Sequence, residues 1–269
     1  GLIAASGARM VPVQLRPENG FQMTADDIAS KLTPRSRAIL LNSPHNPTGA
    51  VLSQQRVQDI VDLALKHDLW ILSDEVYDEM LFDGARFTSP LSFPKAADRV
   101  VVVSSISKSH AAPGFRSGWS IGSAEFTKRL LPLAETMLFG NQPFIADMTA
   151  VALSQPSRVA ADMRQRFEGR AGRMFAQLDG VGGLRVSQPE AGMFVLIDVS
   201  KTGLTGEAYA YDLLEKTGVA VMPGSAFGAA LNGWVRVALT VEDSLFDVAC
   251  GRIADHALVH AQSPVEARA

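Results

Sequence analysis

Residues 38–77 read AILLNSPHNPTGAVLSQQRVQDIVDLALKHDLWILSDEVY, and they carry the pattern of a strand, a loop, a helix and a second strand. The apolar run 38–41 suits a buried strand and passes into a loop, 42–49, rich in Asn, Pro and Gly. Over 53–67 the period becomes helical: Val57, Ile60, Val61, Ala64 and Leu65 recur on one face, behind Ser53 as an N-cap. Residues 70–72 then predict a strand that ends at Ser73 and Asp74. Two buried strands joined by an amphipathic helix form the crossover unit of a parallel sheet.

Outward from this unit, 11–15 and 100–104 read as further strands and 24–32 as a short helix. Each strand empties its carboxyl end into a polar loop, the edge at which open α/β sheets bind ligands. Beyond Gly122 the texture changes to helical sequence over 125–178, interrupted near Pro143 and Pro156. Strands at 193–199, 219–222 and 234–239 and helices at 207–216 and 244–260 follow. The expected architecture is an α/β protein with a mostly parallel large domain, residues 1–160, and a smaller α+β domain, residues 161–269.

The 269 residues are 47% hydrophobic and 20% charged, which excludes disordered and fibrous classes. A net charge of −3 provides no basic field for nucleic acid or anionic membrane, so small molecules are the expected partners. No apolar run reaches the roughly 18–20 residues that a membrane span needs. The single cysteine, Cys250, forms no internal disulfide, and a reducing, cytoplasmic compartment is expected. The five histidines, His45, His67, His110, His256 and His260, read as structural or surface residues without metal-ligand spacing, so no metal is expected. The sequence opens on Gly1 rather than Met, which reads as truncation or processing.

Four segments carry candidate chemistry. In 45–49, HNPTG, Asn46 precedes a proline; the segment is either a plain turn or a rigid mount for the Asn46 side chain. In 72–77, LSDEVY, Asp74 at a strand's end is either a helix N-cap or the partner of a buried cation, with Tyr77 on the same side. In 104–110, SSISKSH, followed by Gly114, Phe115 and Arg116, hydroxyls, a lysine and an arginine form either a polar surface loop or an anion cradle. Arg236 in the alternating run 235–239, preceded by MPGSAFG at 222–228, faces either solvent or a cleft as a carboxylate receptor.

Taken in order, Asn-Pro-x-Gly, Ser-Asp-Glu-x-Tyr, Ser-x-x-Lys with a following Arg, Pro-Gly-x-x-Phe-Gly and x-Arg-x resemble the class I aminotransferases. These are pyridoxal 5'-phosphate (PLP) enzymes of fold type I, and the resemblance covers essentially the whole chain. The wording NSPHNPTG (42–49), HDLWILSDEVYDEMLFDG (67–84) and SKSHAAPGFRSGW (107–119) is similar to the arginine:pyruvate branch, and aspartate-type members share much of it.

The resemblance implies that Lys108 bonds PLP and moves the substrate's Cα proton. It implies Asp74 as partner of the pyridinium nitrogen, Tyr77 and Asn46 as hydrogen-bond partners of the phenolic oxygen, and Val76 packed on the ring. Arg116, Ser105 and Ser107 would hold the phosphate, and Arg236, with Asn46 beside it, the substrate carboxylate. It further implies amino acid and 2-oxo acid substrates, a homodimer, and neither nucleic-acid nor membrane partners.

The family's N-terminal third has no counterpart ahead of 1–15, so the large domain is expected to be incomplete at its N-terminus. The parent protein then reads as an aminotransferase, with an inactive truncated chain as one alternative. A PLP-dependent C–S β-lyase and the aminotransferase-like sensor domain of a transcription regulator are the others.

Overall fold

The structure, a computed structural model, describes residues 2–261. In chain order its main elements are α1 (Leu2–Ala5), α2 (Ala25–Ala29), β1 (Ala38–Asn42), α3 (Gln54–Lys66), β2 (Trp70–Asp74), β3 (Val100–Ser105), α4 (Ile106–Ser109), β4 (Gly118–Ile121) and α5 (Ala124–Leu138). There follow α6 (Pro143–Leu153), α7 (Arg158–Leu178), β5 (Arg185–Val186), β6 (Phe194–Asp198), α8 (Gly206–Thr217), β7 (Met222–Pro223), β8 (Trp234–Ala238) and α9 (Asp243–Ala261).

The crossover unit read from 38–77 forms as expected. β1, β2 and β3 run parallel in adjacent positions, with Asn42 opposite Asp74 and Asp74 opposite Val103, so their carboxyl ends finish at one edge. α3 closes the unit because Ser53 Oγ accepts from Arg56 N at its start and Val57, Ile60, Val61 and Ala64 turn one apolar face to the sheet. That face meets Ile39, Leu41, Ile71, Val100 and Val102 in one core. Burying each such aliphatic side chain contributes about 1.5–3 kcal/mol.

The second sheet is antiparallel, in the order β5-β6-β8-β7, with Leu196 opposite Arg236 and Arg236 opposite Met222. Every residue of β6 is buried. Phe194, Val195, Ile197, Val235 and Val237 pack with Tyr209 and Leu213 of α8, Met174 and Leu178 of α7, and Phe246, Cys250 and Ile253 of α9. Tyr77, Met80 and Phe82, which follow β2, belong to this same core. The segment after β2 thus ties the parallel sheet to the antiparallel one. No described helix is long and apolar enough to cross a membrane.

Several expectations need correction. Residues 11–15 form no strand: the segment is irregular and Val11 is exposed. Pro12 has no N–H to give a ladder, and among the described residues no strand lies alongside. The helix expected over 24–32 is only α2, opened by a capping box between Thr24 and Asp27. Ser30 ends it by turning its hydroxyl onto Asp27 O at 2.7 Å, a local bond that competes with helix continuation. Of 219–222 only Met222 pairs, together with Pro223. Two strands escaped the sequence reading: β4, which adds antiparallel to β3, and the two-residue β5. The span 125–178 resolves into α5, α6 and α7, with breaks beside Pro143 and Pro156.

Candidate active site

The carboxyl edge of β1, β2 and β3 gathers the first three motifs. The loop after β1 is pinned to its neighbour: Asn42 Oδ1 accepts from Asn46 N at 2.8 Å, and Ser43 N donates to Asp74 O at 3.2 Å. His45 Nδ1 lies 2.9 Å from Thr48 Oγ1, and burial pulls the His45 imidazole down to about 4, which keeps it neutral and structural. The Asn46–Pro47 peptide is cis, as is Ser43–Pro44.

Gly49 closes this loop at φ 71°, and a Cβ there would lie 2.3 Å from Pro189 Cβ and 2.9 Å from Ala191 O. Backbone strain and overpacking combine, so Gly49→Ala is expected to cost about 2–4 kcal/mol of stability. Urea unfolding should show the loss as a lower midpoint at unchanged m; an unaltered midpoint would contradict the close approach.

Asp74 ends β2 half-buried, its Oδ1 accepting from Val76 N at 3.2 Å. Among the described residues no Lys, Arg or His forms an ion pair with it, and burial holds its carboxyl above the usual range. Three residues on, Tyr77 is buried with its ring edge-on to Phe194 at 5.5 Å, and burial likewise raises its phenol. Val76 packs against the same core.

Lys108 sits in α4, the single turn that follows β3, with its Nζ 5.8 Å from the centre of the Tyr77 ring. Ser105 caps that turn, its Oγ accepting from Ser107 N at 3.3 Å. Opposite Ser105 stands Gly118, where a Cβ would approach Ser104 O to 2.7 Å. The lysine turn and β4 therefore fit only because position 118 carries no side chain.

Arg236 arrives from the other sheet. Its guanidinium Nη1 donates to Asn46 Oδ1 at 2.9 Å, 190 residues away in sequence. The Phe227 and Phe194 rings flank it, their centres 4.7 and 5.4 Å from its Cζ. Burial lowers its pKa, the cost of holding a cation away from water without an anion. Of the two orientations open to this residue, the half-buried one between these rings is observed, with the guanidinium turned to Asn46.

Asp74, Tyr77, Lys108, Asn46 and Arg236 thus lie around one cleft between the two sheets. Arg116 stands apart. It is exposed, at φ 52°, and its Nη1 donates to Pro113 O at 2.9 Å, with no hydrogen bond to Ser105 or Ser107.

The sequence reading missed Phe194 and Phe227, the aromatic walls of Arg236. Phe227 lay inside the MPGSAFG segment, and an aromatic residue preceding a strand arginine was the available signal. Glu75 and Asp78 were missed as well. Glu75 is buried beneath the loop and accepts from Ser89 Oγ at 2.7 Å.

Burial pushes the Asp78 carboxyl up to about 6 from an ordinary 3.8, helped by Glu79. Its folded pKa is raised, so the charged form penalises the fold above about pH 6, and the penalty fades as pH falls towards the unfolded value. Asp78→Asn is accordingly expected to stabilise the protein by about 1–2 kcal/mol near pH 8 and hardly at all near pH 4. Paired thermal melts at the two pH values test this, and an equal gain at both would remove the burial penalty as its cause.

A family model described as aminotransferase class I and II matches residues 2–253. The arginine–pyruvate transaminase AruH of Pseudomonas aeruginosa is 44% identical over 253 residues, a match that covers 94% of this chain and 64% of that protein. The aspartate aminotransferase of Bacillus sp. strain YM-2 is 30% identical over 259 residues, covering 93% of this chain and 65% of its own length. The chain therefore spans just under two thirds of the length of these relatives. Among solved structures, the aromatic aminotransferase of Pyrococcus horikoshii superposes with a TM-score of 0.90 at 30% identity, over 94% of this chain and 68% of that one.

Proposed function

The chain belongs to the class I and II aminotransferases, and from that membership we propose that it is a PLP-dependent transaminase, moving an amino group between an L-amino acid and a 2-oxo acid. Members of the class I family use PLP. One observation carries the reading. Among the described residues, a carboxylate without a cationic partner, Asp74, ends β2, an amine, Lys108, stands in the turn after the neighbouring parallel strand, and an arginine fork without an anionic partner, Arg236, lies beside them from the other sheet.

The donor set fits the cofactor. Asp74, pushed towards protonation by burial, would hold the cofactor's pyridinium nitrogen and gain a counter-charge from it that favours the carboxylate form. PLP when bound supplies the electron sink for the pair of electrons left on the substrate's Cα. Lys108 would hold the cofactor, and its Nζ is the base that would take and return the substrate's Cα proton. Tyr77 contributes a phenol that burial keeps protonated, a donor at neutral pH for the cofactor's phenolic oxygen. Ser105, Ser107 and Arg116 are the phosphate donors of this reading, and exposed Arg116 must exchange Pro113 O for the phosphate.

Arg236 would bind the α-carboxylate in forked fashion through two of its remaining guanidinium N–H groups. Asn46 Oδ1 holds the fork in place, and Phe227 and Phe194 exclude water from its faces. Uptake of a carboxylate would offset the burial cost that Arg236 bears.

The substrate pair of the reading is arginine as amino donor and pyruvate as acceptor, on the strength of the 44% identity to an enzyme so named. Supplying both should yield alanine and the 2-oxo acid of arginine together. Pyruvate and ammonia formed from an amino acid without an acceptor would replace the reading with a C–S lyase. Absence of product with arginine, aspartate and aromatic donors alike would end it.

The homodimer belongs to the same proposal. Leu131, Met137, Phe139, Phe144 and Val151 of α5 and α6 and their junction are all exposed, with Phe139 at 95%, and apolar clusters of this kind mark association surfaces. Sedimentation should return twice the chain mass, whereas a monomer at micromolar concentration would exclude it. The division at residue 160, in the first turn of α7, and a cytoplasmic location suited to one buried cysteine complete the reading.

A further inference from the structure

Asp212 of α8 and His256 and His260 of α9 form a cluster unrelated to the cleft. Both imidazole Nε2 atoms approach the same carboxylate oxygen, Asp212 Oδ2, at 2.7 and 2.8 Å. The two histidines are one helical turn apart, their rings 4.6 Å apart, and both are buried. The three ligand-type atoms lie within 4.8 Å of one another. In a tetrahedral zinc site, metal–ligand bonds of about 2.0–2.2 Å set neighbouring ligand atoms about 3.4 Å apart. Opening the carboxylate by a fraction of an ångström from each imidazole therefore makes room for an ion.

A second observation is independent of that spacing. Tyr209 Oη is a buried side-chain atom without a hydrogen-bond partner among the described residues, and the fully buried Tyr209 ring stands edge-on to His256 at 4.8 Å. Orphaned polar atoms of this kind are costly and call for an occupant that brings hydrogen-bonding groups with it. An ion held by three protein ligands keeps a bound water in its open position.

We propose that Asp212, His256 and His260 bind a divalent transition-metal ion of the zinc type, with Tyr209 as hydrogen-bond partner of its bound water, and that the ion clamps α8 to α9. Asp212 supplies the oxygen. Each neutral imidazole moves its hydrogen from Nε2 to Nδ1 and offers the Nε2 lone pair, so binding to the neutral forms releases no net proton. Lys216 Nζ, 2.9 Å from Asp212 Oδ1, competes for the same carboxylate and is exposed enough to swing away. The ion would be structural here, because none of its ligands contacts Lys108 or Asp74 among the described residues, so its test does not depend on transamination.

The test titrates the purified chain with Co²⁺ and Zn²⁺ in the absence of PLP. One equivalent of Co²⁺ should bind with the visible spectrum of a low-coordinate nitrogen–oxygen site, be displaced by Zn²⁺, and be lost in Asp212→Asn and His260→Gln. Saturating Zn²⁺, at about a hundredfold over Kd, should raise Tm by about 5 °C or more. If the histidine variants fold poorly, Lys216→Ala decides on an intact core: removing the competing ammonium should tighten Co²⁺ binding about two- to fivefold. Cu²⁺ bound to the unaltered chain should show electron-spin coupling to two imidazole nitrogens. No saturable binding, binding unchanged in Lys216→Ala, or a Cu²⁺ signal without two nitrogens would each overturn the site.

Discussion

Replacing Lys108 by alanine is expected to lower kcat/KM for amino-group transfer by about 10⁴-fold or more, with little change in stability. The size follows from two losses at one atom. Nζ is the only amine at the carboxyl edge of the parallel sheet among the described residues, so on the proposed reading its removal would delete both the covalent anchor and the base that moves the Cα proton. Stability is spared because the side chain is half-buried on the Tyr77 ring at 5.8 Å and forms no ion pair among the described residues. Steady-state assays at saturating PLP, with thermal melts as a folding control, check this. A variant retaining a tenth of the activity would move the proton transfer to another residue.

Arg236→Gln is expected to reduce kcat/KM by about 10²–10³-fold, chiefly through KM for the amino acid. The substituted amide keeps a hydrogen bond for Asn46 but loses the forked charge that matches a carboxylate. Arg236→Lys should recover only part of the loss, because the ammonium is a point charge that cannot span both oxygens or stack between Phe227 and Phe194. The companion observation is substrate choice: amines lacking the α-carboxylate should be nearly indifferent to the substitution. If they suffer equally, Arg236 acts on the fold of the cleft rather than on the carboxylate.

What was legible in the sequence and what was not has a physical basis. The unit 38–77 could be read because local rules agree there: apolar runs, a capped amphipathic helix and strand ends marked by Asn42 and Asp74. The segment 11–15 misled because alternation signals a strand only where a neighbour supplies hydrogen bonds, and Pro12 withholds its own. β4 and β5 went unseen since Gly-Trp-Ser-Ile and Arg-Val carry too little pattern to stand without their partners.

The order of motifs put Asn46 and Arg236 forward as candidates but not the contact between them. The bond between Arg236 and Asn46 joins residues far apart in sequence, and only the packing of the second sheet on the loop after β1 creates it. Likewise, the histidines of α9 are a turn apart, yet Asp212 lies 44 residues from the nearer one, so reading the histidines alone missed their convergence.

One half-reaction, without a second substrate, tests whether Lys108, Asp74 and Arg236 together carry amino-group transfer. The chain is loaded with PLP, freed of excess, and mixed with arginine while absorbance and 2-oxo acid are followed. One 2-oxo acid per bound cofactor should appear as the visible band bleaches, and pyruvate should restore the band. An unchanged band with no 2-oxo acid, or the same bleaching in the Lys108→Ala protein, would rule out these three residues as the transfer machinery.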